Sequence, residues 1–338
     1  MSASEDPEVT RQTRLCVRLI KIVTVLWLPV IFLVLSGSYT VSVPLETSPA
    51  IMRSLTICLV LCLVLSLAVF LVGELTGNVS SVDRLWSVLP CLYTALVWIR
   101  HPSGRLAVMT LVTVVWSVRL TWNFSRRGGY SWPPWTGCED YRWRYVRQWP
   151  GLNTGLGWTV FNLTFISIYQ NLLLLSLAFP ALYCARSSAP VNSLDLLVAL
   201  TFLVLVVVET VADNQQEEFQ NEKYRQLGGS KKSAEFPYSV GFITWGLFSV
   251  CRHPNYLAEQ LLWLVFYLHT IAATGELLNV TLAGPVLLVL LFQGSTLLSE
   301  SITGGKYPKY SQYCEVVPKF IGNFWATRES GYSCVIKE

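Results

Sequence analysis

Charge is what this chain has least of. Only 14% of its 338 residues are Asp, Glu, Lys or Arg, where soluble domains carry about 25%, and 52% are hydrophobic. A large soluble domain is excluded on that ground. Histidine is scarce, with three in the chain, and the nine cysteines include no C-x-x-C pair. Neither a zinc site nor a disulfide framework is expected, so the metal expectation is none. The chain also lacks a G-x-G-x-x-G turn, a P-loop and an H-E-x-x-H helix, which removes the familiar soluble cofactor folds. No internal repeat with paired broken helices is present, which argues against a transporter.

What is present is a series of apolar runs long enough to cross a bilayer. They fall at roughly 20–37, 53–73, 86–101, 105–122, 158–183, 194–212, 257–273 and 280–298. The fold class is therefore all-α, a polytopic transmembrane helix bundle of about eight spans (seven to nine). With the N-terminus in the cytosol, 20 of the 25 lysines and arginines fall on the cytosolic side and four on the other. The positive-inside rule then places both termini in the cytosol. The net charge of +4 is thus a topology signal, and nucleic acid is not an expected partner. Residues 1–50 read as a tail and an added transmembrane anchor, 51–322 as the main membrane domain, and 323–338 as a cytosolic tail. The four N-x-S/T sequons, at Asn78, Asn123, Asn162 and Asn279, are expected to be cytosolic, buried or tight against the membrane.

The long polar stretches (74–85, 123–157, 213–256, 300–338) all lie on the expected cytosolic face. In "GNVSSVDRLW", Asp83 opens a span; it is either a helix-capping carboxylate or a functional one. In "WSVRLTWNFSRR", Arg119 and Asn123 are four apart and share a helical face. An arginine in a span calls for a carboxylate or a ligand phosphate. The loop 123–157 holds Arg126, Arg127 and three further arginines among tryptophans and tyrosines. It reads as a headgroup-level loop or as a stacking, cationic lid, and Glu139–Asp140 argues that it is ordered. In "ETVADNQQEEF", Glu209, Asp213 and Gln216 line one stripe. In "SVCRHPNYLAEQLLW", Pro254 suits a first helical turn. Asn255 and Glu259 then share one face, and Tyr256, Gln260 and Trp263 the next. Arg252 and His253 sit at the helix mouth beside free backbone N–H groups, a natural anion site; the alternative is a surface cap.

These motifs, with the tail "GGKYPKYSQYCEVVPKFI", resemble in correct order a poorly characterised branch of the steroid 5-alpha-reductase-like membrane proteins. The resemblance covers about residues 73–322. The wider superfamily also holds sterol reductases and trans-2-enoyl-CoA reductases, which use NADPH, and membrane methyltransferases, which use S-adenosylmethionine. The resemblance implies a nucleotide cofactor entering from the cytosol. By position, Asp213 matches an acidic cofactor-binding residue, Asn255 an asparagine beside the nicotinamide carboxamide, Glu259 the acid one turn later, and Arg119 an arginine after a long helix. There are departures. Glu209 stands where the steroid reductases have asparagine, and Glu300 occupies the helix that carries their C-terminal Arg and His. Trp116 replaces their carbonyl-polarising tyrosine. Their catalytic glutamate has only Asp83 and Glu74 as candidates.

The leading expectation is an NADPH-dependent reductase of a conjugated C=C bond in a lipid or sterol-like substrate within the membrane. Arg252, His253 and the arginines of 126–147 (Arg126 and Arg127 foremost), with Arg119 and Asn123, would serve the cofactor. Asp213, Asn255 and Glu259 would orient it, and Asp83 or Tyr256 would meet the substrate. The alternatives are an S-adenosylmethionine-dependent membrane methyltransferase and a catalytically silent lipid- or sterol-binding protein. The resemblance also implies residence in the endoplasmic reticulum with the active site facing the cytosol. No obligate protein partner is implied.

Overall fold

The computed structural model describes residues 11–22, 24–25, 40–41, 48–133, 136–228 and 234–321. Among them, seven helices are long and apolar enough to cross a membrane. After a helical stretch at 11–22 (α1), these are Pro49–Thr76 (α2), Ser81–Arg100 (α3), Gly104–Arg126 (α4), Gly155–Cys184 (α5), Ser193–Gly228 (α6), Pro254–Thr274 (α7) and Val280–Lys306 (α8). A short helix, Tyr310–Val316 (α9), follows. The fold is an all-α polytopic membrane bundle, as expected; the first expected span, 20–37, lies largely outside the described residues. Among the described residues, a two-stranded sheet pairs Thr40–Val41 (β1) in parallel with Glu276–Leu278 (β2).

Local sequence accounts for several helix ends. Ser48 caps α2 by accepting from the Ile51 amide, Pro49 follows, and Gly77 closes the helix with φ +72, the left-handed geometry a glycine adopts without strain. Ser103 and Thr154 cap α4 and α5 in the same manner. The buried residues of α2, Ile51, Ser54, Cys58, Cys62, Ser66, Val69 and Gly73, recur every three or four positions and are mostly small. Such a seam lets a neighbouring helix approach closely in lipid, where hydrophobicity alone gives no reason to associate. At Gly73 a Cβ would meet the Asn162 amide at 2.9 Å. Asn162 opens a π-helical segment of α5, Asn162–Tyr169.

The contacts divide the chain into two compact units: Met1–Pro29 with Val204–Leu262 and Leu290–Glu338, and Val30–Leu203 with Trp263–Val289. The first unit includes α1, which lies in the stretch 1–50 read as a tail and an added anchor. Cys16 is fully buried there with Val208, Ala212, Phe219, Leu247 and Ala258, and Gln215 donates to Thr13 at 3.2 Å. In the second unit Trp116, fully buried, meets Trp263 edge-on at 4.9 Å.

The second unit also contains an ion cluster that sequence reading did not anticipate. Arg105 opens α4, Asp195 opens α6 and His269 lies near the end of α7. Arg105 Nε donates to both Asp195 oxygens at 2.9 and 3.1 Å, and its remaining nitrogens donate to the Ala189, Pro190 and Ala272 carbonyls. His269 Nδ1 lies 2.9 Å from Asp195. The three side chains are buried, Asp195 and His269 completely. Arg105, one of the four basic residues counted to the non-cytosolic side, joins helix starts through this pair. Breaking a buried pair by removing one partner destabilises by roughly 3–5 kcal/mol. Asp195→Asn should therefore lower the thermal midpoint of detergent-solubilised protein sharply. An Arg105→Met/Asp195→Leu double variant should recover most of that loss, as measured by thermal unfolding of both.

Candidate functional site

The first unit gathers six of the expected site residues, on α6 and at the entrance of α7. Asn255 Nδ2 donates to Asp213 Oδ1 at 3.1 Å, so two residues 42 positions apart meet as expected. Asp213, Glu209 and Glu259 are all about 96% buried. Glu259 lies one turn along α7 from Asn255, on the face the spacing assigned to it. Three carboxylates on helices this apolar are expensive to maintain, and intramembrane ionisable groups are generally functional. Gln260 adds a buried amide on the neighbouring face.

The helix mouth differs from its expectation. Arg252 and His253 were expected to offer an anion two side chains and free backbone amides. The protein fills that role itself. Glu300, from α8, accepts from Arg252 Nε at 2.7 Å and from Nη2 at 3.3 Å, and lies 2.9 Å from His253 Nε2. Arg252 Nη1 donates to the Cys314 and Val317 carbonyls. The Arg252 and His253 amides donate to Pro318 and Lys319. Burial would lower the Arg252 pKa, but the Glu300 carboxylate overrides it and raises it. Arg252 is thus a charged clamp joining α7, α8 and the segment after α9. His253 stacks on Tyr256 with centroids 5.5 Å apart, and Tyr256 meets Phe292 edge-on at 5.0 Å.

Sequence reading placed Gln216 on the α6 stripe and passed over its neighbour. Gln215 is the buried amide, and it accepts from the Leu247 amide at 2.9 Å. Gly246, with φ +64, lies against that side chain with no room for a Cβ. The glycine at the start of the turn that leads into Arg252 was the available signal.

Asp83, Arg119, Asn123, Arg126 and Arg127 belong to the second unit. Asn123 is buried, and its carbonyl accepts from Arg126 at 2.7 and 3.1 Å; Arg119 is half-buried and Arg127 exposed. Asp83 sits in the first turn of α3 with Oδ2 buried and without a hydrogen bond. Ser80 does not cap that helix; its hydroxyl accepts from the Asp140 amide at 2.9 Å. In the loop after α4, the Glu139–Asp140 pair meets two of the loop's arginines. Asp140 pairs with Arg142 at 2.7 Å and Glu139 with Arg147 at 3.1 Å. Burial would raise the Asp140 pKa, but Arg142 holds it below its ordinary value. Arg84, which sequence reading did not single out, is buried and donates to the Gly129 carbonyl at 2.9 Å. Glu74, the other candidate acid, accepts from Thr159 and Asn162, each at 2.8 Å. The sequon asparagines Asn123, Asn162 and Asn279 are buried, and Asn78 donates to the Gly137 carbonyl.

Residues 69–317 match the model of a family described as a protein of unknown function, DUF1295. An uncharacterised protein of the fission yeast Schizosaccharomyces pombe is 36% identical over 267 residues, covering 74% of this chain and 75% of that protein. No solved structure matches.

The Glu300 clamp yields a direct expectation. Glu300→Ala leaves Arg252 partly buried without its carboxylate and should destabilise on the order of 3 kcal/mol. Limited proteolysis should then cut the segment around residues 314–319 faster than in wild type, while Glu315→Ala should leave that rate unchanged.

Proposed function

Because the chain belongs to the DUF1295 family, whose function is unknown, we propose an activity from the site itself: an NADPH-dependent reductase of a conjugated C=C bond in a membrane-dissolved lipid. The reading takes the family as a branch of the steroid 5-alpha-reductase-like proteins, on the motif order given above. The observation that carries it is the Asp213–Asn255 hydrogen bond beside the buried Glu209 and Glu259. The nicotinamide cofactor would supply the hydride. Asn255 presents an amide with one donor and one acceptor, the complement of a carboxamide. Asp213 fixes the direction of that amide and, with Glu259, can accept from ribose hydroxyls. Tyr256 supplies a phenol donor for charge developing on a substrate oxygen. Arg252 keeps α7 and α8 in register; with Glu300 on its guanidinium, it is a scaffold in this reading and not a phosphate ligand.

A second reading has its own support. The acids Glu209, Asp213 and Glu259, together with Glu300 neutralising Arg252, make a site that suits a cationic cofactor. That favours S-adenosylmethionine and methyl transfer. Thermal titration of the detergent-solubilised protein separates the two. NADPH should raise the midpoint, and Asn255→Ala should weaken its apparent affinity about tenfold, as expected for one well-placed hydrogen bond. Stabilisation by S-adenosylmethionine alone would replace the reductase with the methyltransferase, and a response to neither would remove both.

A further inference from the structure

The seam between α7 and α8 in the first unit carries an amide that the cofactor reading does not use. Gln293 lies on α8, inside the apolar run 280–298 and seven residues before Glu300. Its Nε2 points to Gln260 Oε1 at 3.5 Å, the outer limit of a hydrogen bond. Gln260 directs its own Nε2 to the Tyr256 carbonyl at 2.8 Å. Among the described residues Gln293 makes no other hydrogen bond, so its oxygen and one N–H stay open. Ser299, further along α8, is about nine-tenths buried and its hydroxyl has no partner. The bland account is a helix-joining glutamine pair, but a 3.5 Å contact is weak glue, and open amides in hydrocarbon are strongly disfavoured.

Position decides what could fill it. Gln293 is three residues from Leu290 and four from Leu297, both 61% exposed, so it borders the lipid-facing stripe of α8. The adjoining residue, Phe292, packs against Tyr256, whose hydroxyl has no hydrogen-bond partner among the described residues. A ligand reaching this seam comes sideways from the bilayer, through apolar walls, to two open groups, an amide and a phenol. The geometry points to Gln293, with Tyr256, as the site that reads a single oxygen function, hydroxyl or carbonyl, on an otherwise apolar lipid. This rests on the proposed reduction, with which it shares Tyr256, and names the group by which its substrate is held.

The test uses the full chain in nanodiscs with three photoactivatable diazirine probes sharing a 16-carbon skeleton: an alcohol, a methyl ketone and the parent hydrocarbon. No cofactor is added. Crosslinks are mapped by mass spectrometry to α7 and α8 peptides. An oxygenated probe should label the seam more than the hydrocarbon does, and Gln293→Leu should reduce that labelling about tenfold. Leucine fits a lipid-bordering helix position, and Tyr256→Phe, which keeps the ring, should lower labelling independently. The alcohol and ketone arms show which oxygen function is preferred. Equal labelling by the hydrocarbon, no labelling at the seam, or labelling untouched by Gln293→Leu overturns the inference. Oxygen-dependent labelling in a protein that responds to neither cofactor would sink the proposed reaction and leave this site standing.

Discussion

A charge on a helix that crosses hydrocarbon must find its counter-charge inside the protein, and the first unit is arranged around one such meeting. Glu300 holds Arg252 with two hydrogen bonds and His253 with a third. Because Arg252 also holds carbonyls at the end of α9, those of Cys314 and Val317, three chain segments are fixed by one carboxylate. His253 in turn stacks on Tyr256, and the next residue back, Asn255, reaches Asp213. The polar groups that could do chemistry are therefore placed by a pair that is itself satisfied and closed.

The second unit solves the same problem with a different outcome. Arg105, Asp195 and His269 form a cluster in which Arg105 finds an oxygen for each nitrogen. It joins the starts of α4 and α6 to the end of α7. The loop after α4 is pinned to the start of α3 by a further set of bonds through Glu139, Asp140, Arg84 and Arg147. These groups mostly answer one another. Along α6, α7 and α8 of the first unit, the amide of Gln293 and the hydroxyl of Ser299 retain unanswered capacity.

The bundle was legible in the sequence because each span is a continuous apolar run, and such a run in lipid has only the helix available to satisfy its backbone. The division of α7 into an Asn255–Glu259 face and a Tyr256–Gln260 face was legible too, since 3.6 residues per turn is a local property. The ion pairs of the 123–157 loop, Asp140 with Arg142 and Glu139 with Arg147, join acids to arginines a few residues away and so were legible as well. The partner of Arg252 was not. It lies 48 residues on, and several carboxylates were equally available to it. Arg105, Asp195 and His269 come from three separate spans and resemble an outer arginine, a capping aspartate and a lone core histidine until the helices are packed.

By itself, then, the sequence determined a polytopic all-α membrane protein of the DUF1295 family, the limits of most of its helices, and the stripe of acids and amides along α6 and α7. Periodicity and composition suffice for those, because each is decided within one helix and its solvent. Only the tertiary structure decided which charges answer one another. It turned "CRHPNY" from an open anion site into a clamp closed by Glu300, drew α1 into the first unit's core, and left Gln293 open at the lipid border. Pairing depends on which helix faces come together, and helix packing in lipid is settled by fit between side chains distant in sequence.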